Sequence, residues 1–219
     1  MIQQINYRGQ SYPFDLDKGL VGTLTDEEIE KYSWKVNKRK IDDNTGTGNY
    51  ICYDENYAIR FSKPIIQERY ASRIDQLNRC LLNFFIGNDL ITNKLGAPEM
   101  QGVYFGKKTE QPFLVMEKLN LKKIGFLTAN EKRILLNDYY NSLSKIQELG
   151  YNNISNDTSI RRNFEFDTIK KSGIFFDFDD WKSEHFIPQL NYGELITQNP
   201  VRMFSRNTQR NKQEGELIR

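Results

Sequence analysis

The period of the apolar positions changes several times along the chain, and each change predicts an element. Ile2, Ile5, Tyr7, Tyr12 and Phe14 alternate loosely among polar residues, as in an extension. Thr25-Asp-Glu-Glu28 predicts a short helix near 25–33, because the threonine can cap free amides and the acids favour the positive end of the helix dipole. Residues 34–63 read as strand, glycine-bearing turn, strand and strand. Asn44-Thr-Gly46-Thr-Gly48-Asn49 is dense in turn formers, and aromatic and β-branched runs at 50–53 and 57–61 flank the polar turn Asp54-Glu55-Asn56 as a hairpin. Ile66, Tyr70, Ile74, Leu77, Leu81 and Phe85 recur at spacings of three and four and predict a helix within 65–95. Gly87 is expected to break it, with Leu90, Ile91 and Leu95 starting a second, short one.

Two more strands are predicted at 102–106 and 112–116. Thr128-Ala-Asn-Glu131 is a capping box that opens a helix over 128–149, with the stripe Leu135, Leu136, Tyr139, Leu143 and Ile146 and a left-handed stop at Gly150. A polar segment over 151–158 precedes a second hairpin. Its strands are Phe164-Glu-Phe166-Asp and 174–180, joined by a turn over 170–173. Residues 203–219 are polar and basic, a frayed helix or a tail. Mixed elements of this kind predict an α+β chain.

Composition narrows the function. The 219 residues fit one large domain or two small ones, and 13% aromatics argue for a packed core. Thirty-one basic side chains nearly balance 29 acidic ones, so nucleic-acid binding through bulk charge is not indicated. Cys52 and Cys80 are too few for a disulfide framework or a thiolate zinc site, and both read as reduced core thiols. His185, the single histidine, excludes any site built on two imidazoles. No apolar run reaches the ~20 residues of a membrane span, and the first residues are too polar for a cleaved signal peptide. A cytoplasmic protein is expected; secretion into a host cell would have to proceed without a cleavable signal.

The order of the elements carries further information. A glycine-bearing hairpin, a long helix, two strands, a capped helix, a polar loop and a hairpin ending in Asp177-Phe178-Asp179 together resemble the protein-kinase-like fold over roughly residues 40–180. The resemblance implies a bilobal α+β architecture. Its parts would be an N-terminal extension over 1–33, a strand-rich N-lobe with glycine loop and hinge over 34–119, and a reduced helical C-lobe with a basic tail over 120–219.

Roles follow residue by residue from that resemblance. Gly46 and Gly48 would cover phosphates, although the third glycine of the family pattern is missing. Tyr57-Ala58-Ile59-Arg60 is similar to the family strand whose lysine holds the α- and β-phosphates, here replaced by Arg60. Lys63 lies three residues on and would face the opposite side. Asp89 or Glu68 would be the helix partner of that cation. Met116 would gate the pocket, with the Glu117 carbonyl and the Leu119 amide on the adenine edge. Asp157 would be the catalytic base and Asn163 a metal ligand, six positions apart where the family has five. Asp177 would be the metal-binding aspartate, with Asp179 in place of the family glycine. ATP and Mg2+ are the implied cofactors.

Only 39 residues follow Asp180. On this reading the chain resembles the small kinase effectors of the OspG, NleH and HopBF types, which act on or bind host proteins. Four functions stay open: a minimal kinase acting on a protein hydroxyl, a pseudokinase that binds nucleotide or a regulatory partner, a small-molecule phosphotransferase, and an unrelated α+β interaction protein.

Overall fold

A computed structural model describes residues 2–15, 18–20, 22–38, 49–62, 71–105, 112–153, 163–179 and 181–183, all within the compact unit Met1–Pro188. Gly46, Gly48, Lys63, Glu68, Asp157, His185 and the basic tail lie outside the described residues.

The chain opens with a hairpin, β1 (Ile2–Tyr7) and β2 (Gln10–Asp15), followed by the short β3 (Gly19–Leu20). Tyr7 pairs with Gln10, so the loop is the two residues Arg8-Gly9, and both have positive φ, 47° and 76°. Two left-handed residues in a row match the right-handed twist of the strands they join. The expected extension is therefore sheet. β3 reaches the rest of the sheet at Gly19, which pairs with Tyr104. A Cβ on Gly19 would lie 2.2 Å from the Val103 carbonyl oxygen, and its φ of 95° is one that glycine adopts without strain.

Helix α1 spans Asp26–Lys38. Thr25 starts it as a capping box: the Glu28 amide donates to the Thr25 hydroxyl at 3.3 Å, and the Thr25 amide donates to the Glu28 carboxylate at 2.8 Å. The helix continues past residue 33, so residues 34–38 are helical where a strand is predicted. The hairpin β4 (Asn49–Tyr53) and β5 (Tyr57–Ser62) follows as expected. Next come α2 (Ala71–Thr92), β6 (Met100–Phe105) and β7 (Pro112–Glu117). Gly87 does not break α2. The Met100 side chain fills the place where its Cβ would stand, 2.2 Å away, so the glycine serves close packing instead.

The seven strands form one antiparallel sheet in the order β1-β2-β3-β6-β7-β5-β4. Ile29 and Tyr32 of α1 pack with Ile59, Phe61, Tyr104, Phe113 and Val115 as one core cluster. Strand alternation sends Ala58 and Arg60 to the other face of β5.

Below the sheet run β8 (Leu121–Lys122), a 3-10 turn (Ile124–Phe126), α3 (Ala129–Glu148), β9 (Tyr151–Asn153), β10 (Phe164–Asp167), β11 (Ser172–Phe175) and β12 (Trp181–Ser183). α3 has the predicted capping box, and Gly150 has the predicted left-handed φ of 76°. Leu135, Tyr139 and Ile146 are buried, whereas Leu136 of the expected stripe is exposed. β8 and β11 flank β10, while β9 and β12 pair separately. Tyr139, Phe164, Phe175, Phe178 and Trp181 form a continuous run of aromatic contacts there.

Candidate nucleotide site

Arg60 lies on β5 between β7 and β4, an interior place in the sheet, and is only 4% exposed. A guanidinium at that depth needs anionic partners to offset lost hydration. Its Nη2 donates to Asp177 Oδ1 at 2.7 Å and to Asp179 Oδ2 at 2.5 Å. Burial alone would push Arg60 down; Asp179 and then Asp177 more than reverse this and hold it above its ordinary value. Arg60 is therefore neither exposed nor on an edge strand.

Asp179 is held from a second side. Asn83 of α2 donates from Nδ2 to Asp179 Oδ1 at 2.8 Å, and its Oδ1 accepts the Phe178 amide at 2.8 Å. One amide side chain therefore fixes both the carboxylate and the backbone of the Asp-Phe-Asp segment. Asn83 is 2% exposed in the run Leu81-Leu82-Asn83-Phe84-Phe85. A lone amide in an apolar helical run was the available signal for it. Cys80, one turn earlier, is also buried: desolvation pushes its thiol up to about 12, against a lowering pull from Arg60.

Of the two expected helix partners of Arg60, Glu68 lies outside the described residues and Asp89 is corrected by this geometry. Asp89 lies farther along α2 and binds Arg8, Tyr7 and Tyr151 instead. Asn83 takes the inward place on α2, and the carboxylates come from Asp177 and Asp179.

Asp177 has φ 57°, in the left-handed region that non-glycine residues use sparingly and aspartate tolerates better than most. Asn163 stands beside it and donates from Nδ2 to the Asp177 carbonyl at 3.0 Å, while the Phe176 amide donates to the Asn163 carbonyl at 2.9 Å. The donor chemistry suits a magnesium ion, which takes hard oxygen ligands. Asp177 offers a carboxylate, and Asn163, anchored through its nitrogen, offers its amide oxygen. The structure thus brings together Arg60, Asn163 and Asp177, three of the residues singled out in the sequence.

The hinge residues sit at the end of β7. Met116 pairs with Ala58 and Met100 across the sheet and is half-buried. The Glu117 carboxylate accepts from the Glu99 amide at 3.1 Å and from Lys170 Nζ at 2.5 Å, and Leu119 is half-buried in the link to β8. That link is tied down by the buried Asp167, which accepts from the Asn120 amide at 2.8 Å.

The fold is α+β, its element order follows the one that in the sequence resembles the protein-kinase-like fold, and Arg60 of β5 meets the Asp-Phe-Asp segment. No protein-family model and no curated protein matches the chain. Among solved structures it is similar to monomeric WbdD, at 15% identity over 100% of this chain and 52% of that one, with a TM-score of 0.44. It is also similar to the Rio2 kinase–ADP/Mg2+–phosphoaspartate complex from Chaetomium thermophilum, at 12% identity over 95% of this chain and 66% of that one, with a TM-score of 0.42. The Cydia pomonella granulovirus kinase PK-1 is similar at 14% identity over 73% and 60% of the two chains, with a TM-score of 0.40. The chain spans 32 to 52% of the length of the WbdD chains it matches.

Proposed function

We propose that the chain is a kinase-like phosphotransferase that takes ATP with magnesium and passes the γ-phosphate to a protein hydroxyl. The observation that carries this reading is the bond from the buried Arg60 to Asp177, with Asn163 tied to the same aspartate. A cation, a carboxylate and an amide are three of the groups that phosphoryl transfer employs, and their nearness supports the reading. Arg60 supplies a permanent positive charge for phosphate oxygens, and its burial makes that charge act through a low dielectric. Asp177 and Asn163 would hold the ion; magnesium, when bound, would supply charge neutralisation at the phosphates. The contribution of the protein is to position groups in advance, through β5, α2 and the turn at Asp177. Asp157 as base, Gly46 and Gly48 over the phosphates, and Lys63 as a second phosphate contact belong to the same proposal. So do the hinge roles of Met116, Glu117 and Leu119, and a role as an effector secreted into a host cell.

One observation favours a second reading, a pseudokinase that binds nucleotide without transfer. The Arg60 charge is taken by the two aspartates of the Asp-Phe-Asp segment, and α2 contributes the neutral Asn83.

Transfer of label from γ-labelled ATP, with magnesium and cell lysate as acceptor, separates the readings. Asp177→Ala is expected to lower transfer about 10²–10³-fold, the loss typical of removing one transition-state contact. Asp177→Asn, which tolerates the left-handed backbone, should lose as much. Wild-type transfer in both variants would overturn the assignment of Asp177. A nucleotide-dependent rise in melting temperature with no transfer would establish the second reading. Label appearing only in small molecules would change the acceptor class.

A further inference from the structure

The first two strands build a second polar cluster on α2, away from the site, through a turn residue whose conformation is unfavourable. Arg8 has φ 47°, in a two-residue turn where asparagine or glycine fits with less strain. Its side chain is heavily committed. Nε pairs with Asp89 Oδ2 at 2.9 Å, Nη2 donates to the Leu149 carbonyl at 2.5 Å, and the guanidinium carbon lies 5.3 Å from the centre of the Tyr151 ring. Tyr7, the preceding residue, shares a hydrogen bond with the Tyr151 hydroxyl at 2.7 Å and reaches Asp89 Oδ2 at 3.3 Å, and the Tyr151 hydroxyl also donates to Asp89. One carboxylate on α2 thus collects three groups from β1, the turn and β9.

The partners of this cluster lead back to the candidate site by two routes. Along α2, the Tyr7 ring packs tilted against Phe85 at 4.7 Å, two residues from Asn83, which holds Asp179 and the Phe178 amide. Along the other route, the Tyr151 ring lies 6.0 Å from Trp181, and Trp181 lies 5.0 Å from Phe178. β9 also pairs with β12 at Tyr151 and Ser183. The contacts close into a ring: Tyr7, Tyr151, Trp181, Phe178, Asn83, α2, Asp89 and back to Tyr7. Phe178 stands in that ring between Asp177 and Asp179.

We infer that the β1–β2 hairpin is a positioning element for the Asp-Phe-Asp segment, and that Tyr7 and Arg8 clamp Asp89 and Tyr151 so that α2 and β9 hold Phe178 from both sides. The significance for phosphate chemistry rests on the reading of Arg60 and Asp177 given above; the mechanical coupling does not. The strained arginine fits this role. A turn selected only to close a hairpin would carry the residue with the lower backbone cost.

Amide hydrogen exchange without nucleotide tests the coupling. Arg8→Asn, beside Gly9, gives the turn a preferred sequence and removes the guanidinium, so hairpin formation and clamping come apart. In this variant the amides of the β1–β2 ladder should keep their protection. The Phe178 amide, bonded to Asn83, and the Trp181 amide, bonded to the Phe178 carbonyl at 3.0 Å, should exchange about tenfold faster. Asp89→Asn should give the same pattern through the other partner. Unchanged exchange at Phe178 and Trp181 in both variants would overturn the inference. If Arg8→Asn and Asp89→Asn perturb folding, Tyr7→Phe, which loses one hydroxyl, is read at the same two amides by the same criterion. A wild-type chain that transfers no phosphate yet shows the coupling would count against the proposed function and leave the clamp standing.

Discussion

At the residue scale, Arg60 shows how a departure from a pattern can keep the physics. Both of its bonds leave from one nitrogen, Nη2, so the site uses the guanidinium as a point donor and not as a two-pronged fork. A lysine ammonium is also a point donor, with three hydrogens but a shorter reach. Arg60→Met would leave Asp179 and Asp177 without their shared cation; removal of one partner of a fully buried pair costs about 3–5 kcal/mol, and because Asp177 is 39% exposed and Asp179 15%, water offsets part of that here. Arg60→Lys is expected to cost less than half as much. Urea denaturation of the three proteins checks the ranking, and equal losses for lysine and methionine would show that charge is not what Arg60 contributes. Arg60 was readable from Tyr57-Ala58-Ile59-Arg60 through the likeness to the family strand, and as a charged residue set inside an apolar strand run that continues to Phe61. Its anionic partners were less so. Asp177 stood out through its aromatic neighbours, whereas the role of Asn83 depends on a segment 95 positions away.

At the element scale, structure fixed by neighbours in sequence was legible and structure fixed by distant pairing was not. The capping boxes at Thr25 and Thr128 and the hairpin at Asp54 are local, and each formed where its residues predict; the hairpin at Lys171 formed too, but its second strand is Ser172–Phe175 and not 174–180. β3, β9 and β12 are two or three residues long and owe their strand character to partners far along the chain, so no local period announces them. The β1–β2 hairpin did carry a signal, the alternation of Ile5 and Tyr7 with Tyr12 and Phe14 around Arg8-Gly9, but arginine is not a residue that marks a two-residue turn. The α3 cap supports a pH prediction. The Glu131 carboxylate accepts from the Thr128 amide at 2.7 Å and from Lys122 Nζ at 2.9 Å, and these bonds, the backbone one first, lower it to about 2. A depressed carboxylate contributes stability that is fully present above its unfolded value of ~4.3 and is lost as pH falls through its folded value. Stability carried by this cap should therefore decline between about pH 4.3 and pH 2. Glu131→Gln should flatten that part of the acid-unfolding curve, and Thr128→Ala should cost about 1 kcal/mol at neutral pH. An unchanged acid slope in Glu131→Gln would remove the carboxylate from this account.

At the scale of the whole molecule, the sheet and the aromatic cluster below it meet backbone to backbone at two glycines. The Phe175 amide of β11 donates to the Gly96 carbonyl at 2.9 Å, and Asp138 of α3 accepts the Gly173 amide at 2.8 Å. A Cβ on Gly96 would lie 2.1 Å from the Gly173 carbonyl oxygen, and one on Gly173 would lie 2.2 Å from the Phe164 ring. Neither obstacle is a flexible side-chain end that could swing away. Lys170 bridges the same junction, donating to the Glu117 carboxylate and to the Ala97 carbonyl at 3.4 Å. Contact this close makes the segment after α2 and the β10–β11 hairpin one mechanical body, so a change in one part is felt in the other. Gly96→Ala should force them apart and destabilise the protein by about 1–3 kcal/mol, the usual cost of overpacking. Because the junction couples both parts, the loss should appear as one shifted transition. Far-UV dichroism, which sees all the elements, and Trp181 fluorescence in a Trp34→Phe background, which sees the aromatic cluster, should move together. Two separated transitions in Gly96→Ala would mean that the glycine contact, and not the wider packing, is what joins the two parts. An unshifted single transition would show that the junction can relax around a methyl group, and would withdraw the claim that it is rigid.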